Sequence, residues 1–228
     1  MKQAMFGRQS GFTLVEIAIV LVIVGLLIGG VLKGQELINQ AKIRNLVNDV
    51  NGVAAAVHGY QDRYRKLPGD DDQAQSRWAA DTNILSGNGN GVVEGCYNAS
   101  ATCTAGVTTG GVTTESASFW NHLRAAGFIG GQTGSGTQAL PQNAVGGYLG
   151  VQTGAAMGMG TLVICSANIP GKLASALDVQ MDDGNPDTGR VRATAIAAPN
   201  ALPAATASTA ATRYADDDGT PYVVCKSL

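Results

Sequence analysis

The chain has 228 residues, of which 15 are basic and 17 are acidic, so its formal net charge is -2. This balance excludes the broad basic surface on which non-specific nucleic-acid binding depends, and we expect no nucleic-acid partner. Charged side chains make up 14% of the residues and aromatic ones 5%, whereas glycine is abundant. That composition favours a domain of strands and loops with small side chains over a helical bundle.

An apolar segment near the N-terminus stands out. Residues 12–32 are 21 positions with one acidic side chain, Glu16, and no charge lies between it and Lys33. About 20 apolar residues in a helix cross the core of a bilayer, so we predict a transmembrane helix. A carboxylate inside such a helix costs about 2.5–3.5 kcal/mol, which predicts a partner that arrives during assembly. Lys2 and Arg8 precede the segment and predict an N-terminus on the cytoplasmic side.

The residues Gly11-Phe12-Thr13-Leu14-Val15-Glu16, with the short basic leader before them, resemble the prepilin signal of type IV pilins and type II secretion pseudopilins. The resemblance implies that a prepilin peptidase cleaves after Gly11 and that the new N-terminal residue, Phe12, is N-methylated. It also implies that Glu16 meets the N-terminal amine of a neighbouring subunit in a filament. That role would supply the partner that a carboxylate in a membrane requires.

The segment has two other interpretations. A secretory signal would have an apolar stretch of about 7–15 residues followed by a small-x-small cleavage site, and the present run is longer and lacks that site. A plain signal anchor stays open. It would have no use for Glu16 or for the Gly11-Phe12 boundary.

The expected organisation has three segments. Residues 1–11 are a leader peptide, residues 12–64 are one long helix whose first part (12–32) lies in the membrane or filament core, and residues 65–228 are a globular extracytoplasmic head. Apolar side chains recur at helical spacing as far as Tyr60. Because the residue before a proline is pushed out of the helical conformation, Pro68 predicts an end near Tyr64.

The head is predicted to be an antiparallel sheet laid on the long helix, a pilin-like α+β fold with extra loops and short helices. One short helix is expected from an N-cap at Ser118 to a stop at Gly127, with His122 as a surface or capping group. Further elements are expected from the apolar runs between turn residues. They are strands at 148–151, 161–166, 189–196 and 220–226, and a helix at 170–181.

Four cysteines, Cys96, Cys103, Cys165 and Cys225, all follow the membrane segment. An even number of cysteines outside the cytoplasm indicates disulfides. Three pairings are possible. We favour Cys96 with Cys103, which closes a short loop, and Cys165 with Cys225, which ties the last strand to an inner one. A zinc site and free thiols are the alternatives, but no pair has C-x-x-C spacing.

A glycine-rich loop carries Asn88, Asn90 and Glu94 at alternate positions. Their oxygens are ligands that calcium accepts, although the spacing is not that of a complete EF-hand loop. We therefore regard the three residues as weak calcium candidates. The alternative is a solvated Asx/Gly turn.

Two acidic turns lie near the C-terminus. One contains Asp182 and Asp183, and the other is Asp216-Asp217-Asp218. The two turns could share a divalent cation, which makes Asp182 and Asp183 further weak calcium candidates. Two separate hydrated turns explain them equally well. No other cofactor is expected.

No catalytic constellation can be placed in this sequence, so we do not expect an enzyme. The resemblance implies a structural subunit, a minor one in view of the long head loops, of a type IV pilus or related pseudopilus. Its partners would be other pilin subunits, the prepilin peptidase and the inner-membrane assembly platform. It would be a single-pass inner-membrane protein before assembly and part of an extracytoplasmic filament afterwards. A tip adhesin, with contacts in loops 106–114 and 197–212, and a type II secretion pseudopilin are the alternatives.

Overall fold

The computed structural model describes residues 13–99, 115–154, 156–204, 213–215 and 219–228. The chain forms two compact units, Met1–Ala41 and Lys42–Leu228. The first unit contains the beginning of a 51-residue helix, α1 (Leu14–Tyr64), and the second contains the rest of that helix and the head.

The two parts of α1 differ in burial. Every described residue of the helix as far as Lys33 is exposed. Further along, apolar residues at three- and four-residue spacing form one buried face, consisting of Leu46, Val50, Val53, Ala56, Val57 and Tyr60. The helix ends where Arg65 adopts a left-handed backbone conformation (φ 57°) and donates its N–H to the carbonyl of Gln61. The predicted end near Tyr64 is confirmed.

Four strands form one antiparallel sheet, as predicted. The strands are β1 (Leu149–Thr153), β2 (Leu162–Pro170), β3 (Val191–Ala195) and β4 (Pro221–Ser227). Their order in the sheet is β1-β2-β4-β3, so the C-terminal strand pairs with both β2 and β3. Strand β2 runs four residues further than predicted because the pairing continues past an irregularity between Ser166 and Ile169.

Both faces of the sheet are covered. One face packs against α1, since Leu149, Val151 and Ile164 share a core with Val50 and Val57. The other face forms a second core, which contains Tyr97, Met157, Val163, Cys165, Val223 and Cys225. The small side chains of the sheet allow segments to approach it closely: a Cβ on Gly150 would overlap the carbonyl oxygen of Tyr97.

The described part of the head contains three further helices. They are α2 (Ala74–Arg77), α3 (Glu115–Ala125) and α4 (Gly171–Met181), and a 3-10 helix spans Gly136–Ala139. The predicted N-cap at Ser118 is wrong, because α3 begins at Glu115. The N–H of Ser116 bonds to the carbonyl of Glu94, so a contact with a distant loop fixes the start of the helix. The predicted stop at Gly127 is confirmed by its φ of 79°.

Candidate functional site

The start of α1 presents a continuous apolar surface. Large side chains from Leu14 to Leu32 are 44–86% exposed. The most apolar 18-residue window of this helix has a mean hydropathy of 2.8, and none of it is buried within the chain. By length and composition the helix can cross a membrane. The apolar segment of an N-terminal signal sequence can have the same length and composition. An apolar surface of this size requires cover from lipid or from other helices.

Glu16 and Thr13 form a capping box at the first turn of α1. The hydroxyl and the backbone N–H of Thr13 donate to Oε2 of Glu16 at 2.8 and 2.9 Å, and the N–H of Glu16 donates to Oγ1 of Thr13 at 3.3 Å. This reciprocal arrangement satisfies N–H groups that the first turn leaves without helical partners. The T-x-x-E spacing is visible in the sequence, although the role predicted for Glu16 from the sequence is one between subunits.

The predicted cleavage boundary lies outside the described residues. Neither Gly11 nor Phe12 is among the residues that the structure describes. Cleavage after Gly11 and methylation of Phe12 therefore stay predictions, as does the intersubunit role of Glu16.

The glycine-rich loop brings its three calcium candidates together through amide groups. The side-chain amides of Asn88 and Asn90 donate to the two carboxylate oxygens of Glu94 at 3.2 and 3.1 Å. The Oδ1 atoms of the two asparagines accept backbone N–H bonds from Asn90 and Val92 at 2.9 Å. Each of these oxygens therefore makes the hydrogen bond of an Asx turn, which is the alternative to a calcium site.

Two carboxylates of the head hold this same loop. Asp70 and Glu115 are 3% and 8% exposed, and each accepts two backbone N–H groups from the loop. The donors are Asn90 and Gly91 for Asp70, at 3.0 and 2.7 Å, and Asn88 and Glu94 for Glu115, at 2.9 and 3.0 Å. Burial raises the pKa of Glu115, against lowering by the two N–H bonds. These contacts could not be predicted from local sequence, because they join residues 20 to 27 positions apart.

His122 lies inside the head, and the expectation of a surface or capping group is wrong. Its side chain is fully buried. Nδ1 accepts the N–H of Gly69 at 2.9 Å, and Nε2 lies 2.8 Å from the carbonyl oxygen of Leu85. These partners assign the proton to Nε2 and leave neither nitrogen available for a metal or a substrate. Burial lowers the pKa of the ring, which favours the neutral form.

The cysteines follow the favoured pairing where the structure describes it. Cys165 on β2 and Cys225 on β4 stand directly opposite one another and form a disulfide. Cys96 is buried and disulfide-bonded as well. Cys103 lies outside the described residues, so the pairing of Cys96 with Cys103 stays a prediction.

The acidic turn after α4 lies beside a carboxylate of the helix that was not among the predicted site residues. Asp178, on the last turns of α4, joins Asp182 and Asp183, and one oxygen of each residue lies within 4.8 Å of one oxygen of each of the others. The spacing of four residues between Asp178 and Asp182 was the available signal, since such pairs share a helix face. The second acidic turn, Asp216 to Asp218, lies outside the described residues.

One comparison with known proteins gives a match. A family model described as the prokaryotic N-terminal methylation motif matches residues 7–32. These residues include the Gly11-Phe12 boundary, the capping box and the whole exposed apolar run. A search of curated proteins finds no match to the chain.

Proposed function

We propose, from the N-terminal methylation motif that marks type IV pilins and pseudopilins, that this chain is a structural subunit of a type IV pilus or related pseudopilus. The observation that carries the proposal is the exposed surface of α1 between Glu16 and Lys33, which contains no charged side chain. Such a surface is suited first to lipid and then to like helices in a filament. The head would be carried on this helix as the part that faces outward.

The proposed mechanism begins with processing in the inner membrane. The prepilin peptidase cleaves after Gly11 and the amine of Phe12 is methylated. The chain then stays anchored through residues 12–32 until the assembly platform extracts it into a filament of pilin subunits. Because helix contact replaces lipid contact there, apolar burial alone gives little preference for assembly, and packing and polar groups must supply the specificity.

Two features of α1 support close packing of neighbouring subunits. Gly25 and Gly29, and likewise Gly30 and Gly34, stand four residues apart, and a Cβ added at any of them would meet nothing within 4 Å. Small residues at this spacing let membrane helices approach closely. The second feature is Glu16, whose carboxylate is held at the start of the helix by Thr13 and would meet the amine of a neighbouring chain there.

We further propose that the subunit is a minor one with a structural and not an enzymatic role. The long loops of the head support the first point. For the second, three buried polar side chains of the head hold loops in place: Asp70 and Glu115 bind backbone N–H groups, and both nitrogens of His122 are used.

Mass spectrometry of purified filaments tests the proposal directly. We expect the chain to be present and to begin at N-methylated Phe12. A chain in filaments that begins at Met1, or absence from every filament fraction while the membrane fraction contains it, would contradict the proposal.

A matched pair of substitutions tests the role of Glu16. Glu16→Ala should insert into the membrane but be incorporated at least about tenfold less. In the unassembled wild type the unpaired carboxylate costs about 2.5–3.5 kcal/mol, and pairing in the filament would relieve this cost. The variant gains nothing of this kind on assembly, and the neighbouring amine would lose its counter-charge. Glu36→Ala removes an exposed carboxylate further along the same helix, which pairs with Lys33 and accepts a bond from the side-chain amide of Gln40. This variant should be incorporated normally. Normal incorporation of Glu16→Ala would contradict the proposed assembly role.

A further inference from the structure

A group of three carboxylates lies where α4 ends. Asp178 is in the last turns of the helix, Asp182 is its C-cap, and Asp183 follows in the turn that leads to β3. One oxygen from each of the three lies within 4.8 Å of one from each of the others. Asp178 is fully buried, whereas Asp183 is exposed.

The charges of this group are not compensated by the described part of the head. No ion pair among the described residues involves any of the three, and the last turn of α4 contains no basic residue. The C-terminal end of a helix carries a partial negative charge and favours cations. Three acidic side chains at that end therefore repel one another and are also repelled by the partial negative charge of the helix end.

Each carboxylate is held in a fixed position by bonds that leave lone pairs available. Oδ2 of Asp182 accepts the N–H groups of Arg190 and Val191 at 2.5 and 2.8 Å. Asp183 accepts from Asn185 and Thr188 at 2.9 and 2.6 Å. A carboxylate offers about four lone-pair positions, so these bonds leave room for a cation.

Asp178 provides an independent observation that points to a ligand. Its Oδ2 accepts the hydroxyl of Tyr214 at 2.7 Å, while Oδ1 is buried and makes no hydrogen bond. A buried carboxylate oxygen without a partner is costly unless something else satisfies it.

We propose that Asp178, Asp182 and Asp183 bind a divalent cation, and that the cation is calcium. The three side chains offer only oxygen ligands, which suits a hard cation and not zinc. Calcium takes 6–8 oxygens in flexible geometry, and backbone carbonyls and water complete its shell. The carbonyls at the end of α4 are a source of such ligands, apart from that of Asp178, which accepts the N–H of Asp182.

Bound calcium would stabilise one edge of the sheet. The turn that carries Asp182 and Asp183 lies along β3, since the N–H of Val191 bonds to Asp182 and the N–H of Ala193 bonds to the carbonyl of Pro186. Strand β3 is the outer neighbour of β4. A cation that fixes this turn therefore protects an edge strand of the head. This inference is independent of the proposed filament function.

Calcium titration of the full chain tests the proposal. The chain is purified in detergent micelles, freed of metal with EDTA and titrated with CaCl2 in a calorimeter, with thermal unfolding recorded in parallel. We expect one calcium ion per chain and a higher midpoint of unfolding with calcium, because a ligand that binds only the folded state stabilises it. Binding of magnesium as tight as that of calcium would overturn the choice of cation, and no calcium binding at millimolar concentration would overturn the site.

Four isosteric variants locate the binding. Asp183→Asn and Asp178→Asn should each weaken calcium binding at least about tenfold, since calcium affinity follows the charge of its ligands. Because Asp183 is exposed, its variant decides the outcome even if Asp178→Asn fails to fold. Asp62→Asn removes one charge from the exposed face of α1, and Glu94→Gln removes one from the glycine-rich loop; both should bind normally. Normal binding by Asp183→Asn, or its loss in Glu94→Gln, would overturn the proposal.

Discussion

The hydroxyl of Tyr60 donates a 2.6 Å hydrogen bond to Oδ2 of Asp71 and so joins α1 to the segment that follows it. Both side chains are fully buried, and the same oxygen accepts a 2.6 Å bond from Arg77. Burial raises the pKa of Asp71, but the bonds from Arg77 and Tyr60 outweigh it, and the pKa lies below its ordinary value. The arrangement keeps a buried carboxylate charged and uses it to anchor the long helix in the head.

Removing this hydroxyl should destabilise the head. Tyr60→Phe leaves Asp71 buried with one donor fewer, so the free energy of unfolding should fall by about 1–2 kcal/mol. Tyr64→Phe is the matched control, because it makes the same chemical change one turn later, where the ring packs edge-on against Trp78. Chemical denaturation of the two variants beside the wild type measures the difference. Equal losses in both would show that the bond to Asp71 contributes nothing specific.

The buried ring of His122 predicts a pH dependence of stability. Burial lowers its folded-state pKa below the ordinary value of about 6.5, so the unfolded chain binds a proton more readily than the folded one. The stability from this group is complete above about pH 6.5 and is lost as the pH falls towards the lower folded-state pKa. Protonation would also place a second N–H against the N–H of Gly69, which now donates to Nδ1.

His122→Gln and His58→Gln separate this effect from that of the carboxylates. The chain has two histidines, and His58 lies exposed on α1. We expect stability to fall between pH 7 and 5 in the wild type and in His58→Gln, and to fall less in His122→Gln, whose overall stability should be lower. Thermal unfolding at half-unit steps of pH measures this. Identical pH profiles for the two variants would contradict the assignment to His122.

The sequence predicted those features of the fold that depend on local pattern. The end of α1, the helix α4 and the four strands follow from periodicity, turn residues and Pro68. The predicted start of α3 was wrong because Glu115 binds a loop more than 20 residues away, and no local sequence pattern indicates that contact. The burial of His122 was missed for the same reason, since its partners Gly69 and Leu85 come from distant positions.

The disulfide between Cys165 and Cys225 should account for a large part of the stability of the head. It joins strands 60 residues apart in the chain, and closing a loop of that length in the unfolded chain is worth about 4 kcal/mol in the chain-entropy model. We expect Cys165→Ala/Cys225→Ala to lower the free energy of unfolding by about 2–4 kcal/mol, measured by denaturation under oxidising conditions. Adding a reductant should then destabilise the wild type by more than the double variant. Equal sensitivity of the two would assign the effect of the reductant to Cys96.

The capping box at the start of α1 predicts that Thr13 positions the carboxylate of Glu16. Thr13→Val keeps the shape of the side chain but removes the hydroxyl that bonds to both the carboxylate and the N–H of Glu16. Loss of a cap costs about 1 kcal/mol. Because the backbone N–H of Thr13 still donates to Glu16, we expect incorporation into filaments between that of the wild type and that of Glu16→Ala.

Thr13→Ser is the control, since it retains the hydroxyl and should be incorporated like the wild type. Immunoblots of filament and membrane fractions give the ratio for each variant. Incorporation of Thr13→Ser as low as that of Thr13→Val would show that the methyl group matters and the cap does not. Incorporation of Thr13→Val above that of the wild type would contradict a positioning role. It would indicate that the hydroxyl of Thr13 competes with the neighbouring amine for the carboxylate of Glu16.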